Sequence, residues 1–200
     1  CIHLDHARTM EEIVDAVDSG FLSVMIDGSQ QDFEANVKPT AEVVQYAHAR
    51  VVSVEAELGA PTRVDSIGHE GNKTFKSEFT NPEHAAEFFE RTGCDFLAVS
   101  IGHAHGLYAQ APSLDFDLLK KIRDAVPVPL VLHGGSGTPA DQLKKAVSLG
   151  IAKVNVASEI ARAFNASYVP AMSEGKTWLA VAKREATAIT RPGVARWVDV

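Results

Sequence analysis

Three histidines stand where short apolar runs give way to polar residues. They are His6 in Ile2-His3-Leu4-Asp5-His6, His105 in Gly102-His103-Ala104-His105, and His133 directly after Leu130-Val131-Leu132. Neutral imidazole is the commonest protein ligand of zinc, and three protein ligands with one open position describe a catalytic zinc site. His103 is a rival ligand to His105, because the two-residue period of an extended chain can aim both the same way. His69 sits in a polar stretch, and His48 and His84 sit in helical patterns, where histidines are ordinarily solvated. Asp5, next to His6, is placed either to move a proton at a substrate hydroxyl or to orient a histidine. Asp27 and Glu57 also end apolar runs; they could bind a second cation, hold the first, or cap the following helix. Glu55, two residues before Glu57 on the same face, would support it or bridge to a neighbouring strand.

Two stretches suit a phosphate. His133-Gly134-Gly135-Ser136-Gly137-Thr138-Pro139 and Asn155-Val156-Ala157-Ser158 each set small residues and free backbone N–H groups just before a helical pattern. A metal site and a phosphate site together suggest a phosphorylated sugar whose carbonyl the metal polarises. Lys153 reads as the first residue of its apolar run, the wrong end for chemistry, so a Schiff-base mechanism has no good candidate.

The elements that must position these residues follow from the apolar pattern. Six runs, at 1–4, 21–26, 51–56, 96–101, 130–132 and 153–156, are rich in Val, Ile, Leu and Phe, as strands buried on both faces should be. Helical patterns lie between them. Thr9 with Glu12 forms a capping box, Asn81-Pro82 and Thr138-Pro139 open helices, and Gly20, Gly93 and Gly150 close them. Strict alternation predicts a parallel α/β sheet, open and doubly wound or closed as a TIM (β/α)8 barrel. Polar residues gather after the C-terminal ends of the runs, and no G-x-G-x-x-G fingerprint is present, which favours the barrel. The chain is then expected to be one (β/α) barrel domain, 1–200, carrying the last six βα units, with two N-terminal units missing. Residues 59–80 break the rhythm and read as a mobile active-site loop, and 176–200 as a C-terminal helical tail.

Composition narrows the class further. The 200 residues carry 19 Lys and Arg against 26 Asp and Glu, a net charge of −7, which disfavours nucleic acid and anionic membranes as partners. Two cysteines, Cys1 and Cys94, give no disulfide framework, and a reducing, cytoplasmic location is expected.

Six segments carry a resemblance. Ile2-His3-Leu4-Asp5-His6-Ala7, Ser23-Val24-Met25-Ile26-Asp27-Gly28-Ser29, Val54-Glu55-Ala56-Glu57-Leu58-Gly59, Ala104-His105-Gly106-Leu107-Tyr108, Leu132-His133-Gly134-Gly135-Ser136-Gly137 and Lys153-Val154-Asn155-Val156-Ala157-Ser158 occur in order. Together they resemble the zinc-dependent class II ketose-bisphosphate aldolases, nearest the branch of tagatose-1,6-bisphosphate and fructose-1,6-bisphosphate aldolases. The resemblance implies a lyase of carbohydrate metabolism, as in glycolysis, that reversibly cleaves a phosphorylated ketose to dihydroxyacetone phosphate and an aldehyde. It implies Zn2+ held by His6, His105 and His133, with Asp27 and Glu57 at an alternative or second metal position. Asp5 would exchange the proton at the aldehyde-half hydroxyl. Gly106, Gly134, Gly135, Ser136, Asn155, Val156, Ala157 and Ser158 would hold dihydroxyacetone phosphate, assisted by a monovalent cation, Na+ or K+. A homodimer or homotetramer is implied.

Two departures from the family pattern are visible. The loop after Gly59 reads Ala60-Pro61-Thr62-Arg63-Val64-Asp65 instead of a Gly-Gly pair followed by an acid, and His103 replaces a small residue beside the ligand. Asp65, or alternatively Glu70, is the candidate base at carbon. The competing readings are a zinc-dependent hydrolase on a barrel, which needs no paired phosphate cradle, and a catalytically incomplete barrel fragment.

Overall fold

The computed structural model describes residues 1–59, 62–63, 78–105, 112–173 and 179–198, the side chains of 62–63, 104–105, 196 and 198 excepted. Strand and helix alternate through β1 (His3–Ala7), α1 (Met10–Asp18), β2 (Ser23–Ile26), α2 (Phe33–His48) and β3 (Ser53–Leu58). The short β4 (Thr62–Arg63) is followed by α3 (Pro82–Thr92), β5 (Phe96–Val99), β6 (Ala104–His105), α4 (Phe116–Ala125) and β7 (Leu130–Leu132). The chain continues with α5 (Ala140–Ser148), β8 (Ile151–Val154), α6 (Ser158–Ser173) and α7 (Leu179–Val198).

Six strands pair in the order β1-β2-β3-β5-β7-β8, every neighbouring pair parallel. Each new strand joins the same growing edge. A doubly wound sheet would reverse its strand order, so this sheet winds in one sense, as barrels do. The result is a half-barrel of six parallel strands with edges at β1 and β8, consistent with the six βα units of a TIM barrel expected of this chain. Within the segment 59–80, β4 pairs with β6, a contact the apolar pattern does not announce; 60–61 and 64–77 lie outside the described residues.

Local chemistry accounts for the helix ends. The Thr9 hydroxyl accepts from the Glu12 N–H at 3.2 Å while the Glu12 carboxylate accepts from the Thr9 N–H at 3.1 Å, a complete capping box on α1. Asn81 caps α3 ahead of Pro82, and Gly93 ends it at φ 67°, where a Cβ would be strained. Strand β8 starts directly after the turn at Gly150, two residues before the start read from the sequence, so Lys153 lies inside the strand rather than opening it.

Residue parity divides the sheet into two faces. Val24, Ile26, Val54, Ala56, Leu97, Val99, Leu130 and Leu132 point outward and are buried under Ile13, Phe88, Leu119, Ile122 and Leu143 of the helices. By the strand register, the opposite face gathers His3, Ser23, Met25, Glu55, Glu57, Ala98, Val131 and Lys153. The apolar layer stabilises the fold, which leaves the inner face able to carry charge.

Phe88 is fully buried and packs edge-on to Phe33. Phe88→Ala is expected to lower stability by about 3–5 kcal/mol. Arg91→Ala, which removes the exposed pair with Glu34, is expected to cost far less, since solvent screens an exposed ion pair. Urea unfolding of the two variants measures the contrast.

Candidate functional site

The site begins with a defect in β1. His3 pairs with Ser23 and Leu4 with Val24, but Ala7 pairs with Ile26, so β1 holds one residue more than β2 over this span. His6 absorbs it at φ 53°, the left-handed region that side chains other than glycine seldom enter. Regular alternation would put Asp5 and His6 on opposite faces. The bulge brings both to the inner face.

His6 Nδ1 lies 2.9 Å from Asp27 Oδ2 and 3.7 Å from Glu57 Oε2. His133 Nε2 lies 2.8 Å from Glu55 Oε1. An ionised carboxylate only accepts, so both of those ring nitrogens carry the hydrogen. On a ring with a single hydrogen the lone pair is then on the other nitrogen. Those two, His6 Nε2 and His133 Nδ1, face each other at 3.0 Å with the rings crossed at 84°. At that spacing either a hydrogen shared between the two nitrogens or a metal cation can hold the pair together. Two imidazole nitrogens bound tetrahedrally to zinc at about 2.0–2.1 Å would stand about 3.4 Å apart, so the pair fits such an ion with little adjustment. Carboxylates on the outer nitrogens are the usual second layer of a histidine–zinc site.

The carboxylates stay ionised despite burial. Burial works to raise Asp27, but hydrogen bonds from His6 and from the Ser29 hydroxyl and N–H outweigh it and hold it well below the ordinary range. Glu55 is likewise pushed up by burial yet held low by the bond from His133 and the ammonium of Lys153, 2.8 Å from Oε2. Burial, then the charge of Lys153, holds His3 below its usual value.

Among the described residues, donor atoms converge in three groups whose members lie within 4.8 Å of one another: Asp5, His6 and His133; His6, Asp27 and Glu57; and His3, Asp5 and Glu55. Asp5 accepts from the Asn155 side-chain amide at 3.0 Å, and with 46% of its side chain exposed it can meet a ligand. The two glycine- and serine-bearing loops also meet. The Gly135 N–H donates to the Asn155 carbonyl at 2.9 Å, and the Glu159 N–H, in the first turn of α6, donates to Ser136 Oγ at 3.2 Å. A Cβ on Gly135 would stand 2.5 Å from Val154 Cγ1, so only glycine permits this approach. Gly134 turns the chain at φ 63°, Val156 and Ala157 lead into α6, and Ser158 is its first residue. Helix N-termini offer unpaired N–H groups and positive potential to an anion.

Not every candidate is gathered. His105 is described only as the backbone of β6, and Asp65, Glu70 and Gly106 lie outside the described residues. His103 is buried but joins none of the three donor groups among the described residues. His48 bonds Asp95 at the surface, and His84 is also exposed. The contacts of Lys153 with Glu55 and of the Asn155 side-chain amide with Asp5 are what the sequence reading missed. Their signal was parity: Lys153 and Asn155 share a strand face, as Glu55 and Glu57 do.

A profile of the class-II fructose-bisphosphate aldolases matches residues 1–197. The chain is 48% identical over 164 residues to the fructose-bisphosphate aldolase of Geobacillus stearothermophilus, covering 82% of this chain and 55% of that one. It is 48% identical over 167 residues to Escherichia coli K12 YdjI, covering 80% of this chain and 57% of YdjI. The chain thus spans a little over half the length of the curated relatives it matches. The crystal structure of the YdjI aldolase superposes with a TM-score of 0.81 at 40% identity, over 98% of this chain and 67% of that chain. That of the Campylobacter jejuni fructose-bisphosphate aldolase gives 0.67 at 26% identity, over 96% and 68%.

Asp27→Asn and Glu55→Gln are each expected to weaken zinc binding by about 10–100-fold, because each replaces the charged, acceptor-only carboxylate that fixes a histidine tautomer with a neutral amide that can also donate. Competition with a chromophoric chelator measures the loss, with circular dichroism as the check on folding.

Proposed function

The chain belongs to the class-II fructose-bisphosphate aldolase family, and on that premise we propose a metal-dependent aldol cleavage of a phosphorylated ketose. The products would be dihydroxyacetone phosphate and an aldehyde, from a substrate resembling fructose- or tagatose-1,6-bisphosphate. The observation that carries the reading is the pair of imidazole nitrogens facing each other at 3.0 Å, each with its outer N–H on a carboxylate.

His6 and His133 would hold Zn2+, with His105 as the third ligand and Asp27 and Glu57 as a neighbouring or alternative seat. A bound zinc ion supplies Lewis acidity at the ketose carbonyl. Asp5 takes the proton from the hydroxyl on the aldehyde side of the scissile bond. That oxygen then forms the aldehyde carbonyl, the carbon–carbon bond breaks, and its electron pair passes into the dihydroxyacetone half. A carbon-bound proton returned there balances the reaction; Asp65 or Glu70 is assigned that transfer. Asn155 holds Asp5 through its side-chain amide, which fixes the direction of the accepting oxygens.

The phosphate of the dihydroxyacetone half is assigned to Gly106, to Gly134, Gly135 and Ser136, and to Asn155, Val156, Ala157 and Ser158. Support comes from the contact between the two loops beside the N-terminus of α6. A monovalent cation, Na+ or K+, is assigned beside that phosphate. The −7 charge makes a local anion site necessary, since the molecule as a whole repels a bisphosphate. Among the described residues no helix is long and apolar enough to cross a membrane. A homodimer or homotetramer in the cytoplasm completes the proposal.

A panel of ketose mono- and bisphosphates, assayed for dihydroxyacetone phosphate with and without a chelator, tests the function. Release from at least one, abolished by chelator and restored by zinc, is expected. Asp5→Asn is expected to slow that cleavage by about 10²–10⁴-fold while zinc stays bound. Full-rate cleavage by the variant would reduce Asp5 to a structural partner of Asn155.

A further inference from the structure

Beneath the histidine pair lies a second nest of ligand atoms. His3 Nε2 stands 3.9 Å from Asp5 Oδ1 and 3.7 Å from Glu55 Oε2. His3 Nδ1 is 2.8 Å from Ser23 Oγ, which fixes the ring, while Nε2 is buried and has no hydrogen-bond partner. One imidazole and two carboxylates form an ordinary donor set for a divalent ion of the zinc or manganese type. Lys153 reaches the same nest from β8, with Nζ 2.8 Å from Glu55 Oε2.

We infer that the Lys153 ammonium is a built-in cation that takes the place of a second divalent ion among His3, Asp5 and Glu55. Glu55 is the reason such a substitute matters. Its Oε1 accepts from His133 Nε2, and its Oε2 accepts from Lys153. A divalent ion drawing on Glu55 would compete with His133 for the carboxylate and loosen the ring that faces His6. An ammonium neutralises Glu55 through a hydrogen bond and makes no coordination demand. The same contact joins β8 to β3, and His3 adds β1, so one charge cluster spans both edges of the half-barrel.

Removing the ammonium should open the nest to metal. Wild-type protein, Lys153→Met, Lys153→Gln, His3→Ala and the double variant of His3→Ala with Lys153→Met would be stripped, dialysed against micromolar Zn2+, and analysed for metal per chain. Lys153→Met and Lys153→Gln are expected to hold one ion more than the wild type. The double variant should return to the wild-type content, and His3→Ala alone should match it. Lys153→Gln keeps an N–H donor beside Glu55 and answers the question if the methionine variant fails to fold. An unchanged metal content in a folded Lys153 variant overturns the inference. So does loss of one ion from His3→Ala alone, because the wild type would then hold metal in the nest. The readout is stoichiometry and stands apart from whichever ketose is cleaved.

Discussion

Two imidazole nitrogens held face to face at 3.0 Å form the constraint around which this molecule is arranged. Asp27 and Glu55 accept from the outer nitrogens of His6 and His133, which turns the inner nitrogens toward each other. Either one shared hydrogen or a cation between the two nitrogens can hold such a pair. Because its outer carboxylates orient it in advance, the pair suits a Lewis acid in place of a shared hydrogen. The ionised carboxylates are in turn held by Ser29 and Lys153, which lets them stay charged while buried.

The fold supplies this arrangement by dividing labour between strand faces. Leucine, valine and phenylalanine on the outer face and the helices provide the burial that favours folding. The inner face is thereby free to carry imidazole, carboxylate and ammonium groups that stabilise little by themselves. Winding the sheet in one sense brings the C-terminal ends of β1, β2, β3, β7 and β8 to a common mouth. The bulge at His6 then places two consecutive residues, Asp5 and His6, where regular alternation would have allowed one.

Much of this was legible in the chain. The alternating apolar runs and the caps at Thr9 and Asn81 are local signals, and the parallel α/β sheet follows from them. Family membership was legible too, because six segments in order leave little room for coincidence. Lys153 was misplaced because its run was read as starting two residues too late, a boundary that Gly150 and pairing with β7 decide. The role of Asp27 stayed open between capping, cation binding and support, since its contact with His6 spans two strands and has no sequence spacing of its own. The positive φ of His6 is likewise a product of register with β2. Pairing of β4 with β6 joins residues about forty positions apart, with too few of them to leave a periodic trace.

Nitrogen NMR of histidine-labelled protein, with and without zinc, reads the central claim most directly. With zinc bound, His6 should carry its proton on Nδ1 and His133 on Nε2, with the metal-shifted resonances on His6 Nε2 and His133 Nδ1. A zinc-loaded protein in which either facing nitrogen keeps its proton would contradict the account, because the ion would then be bound somewhere else.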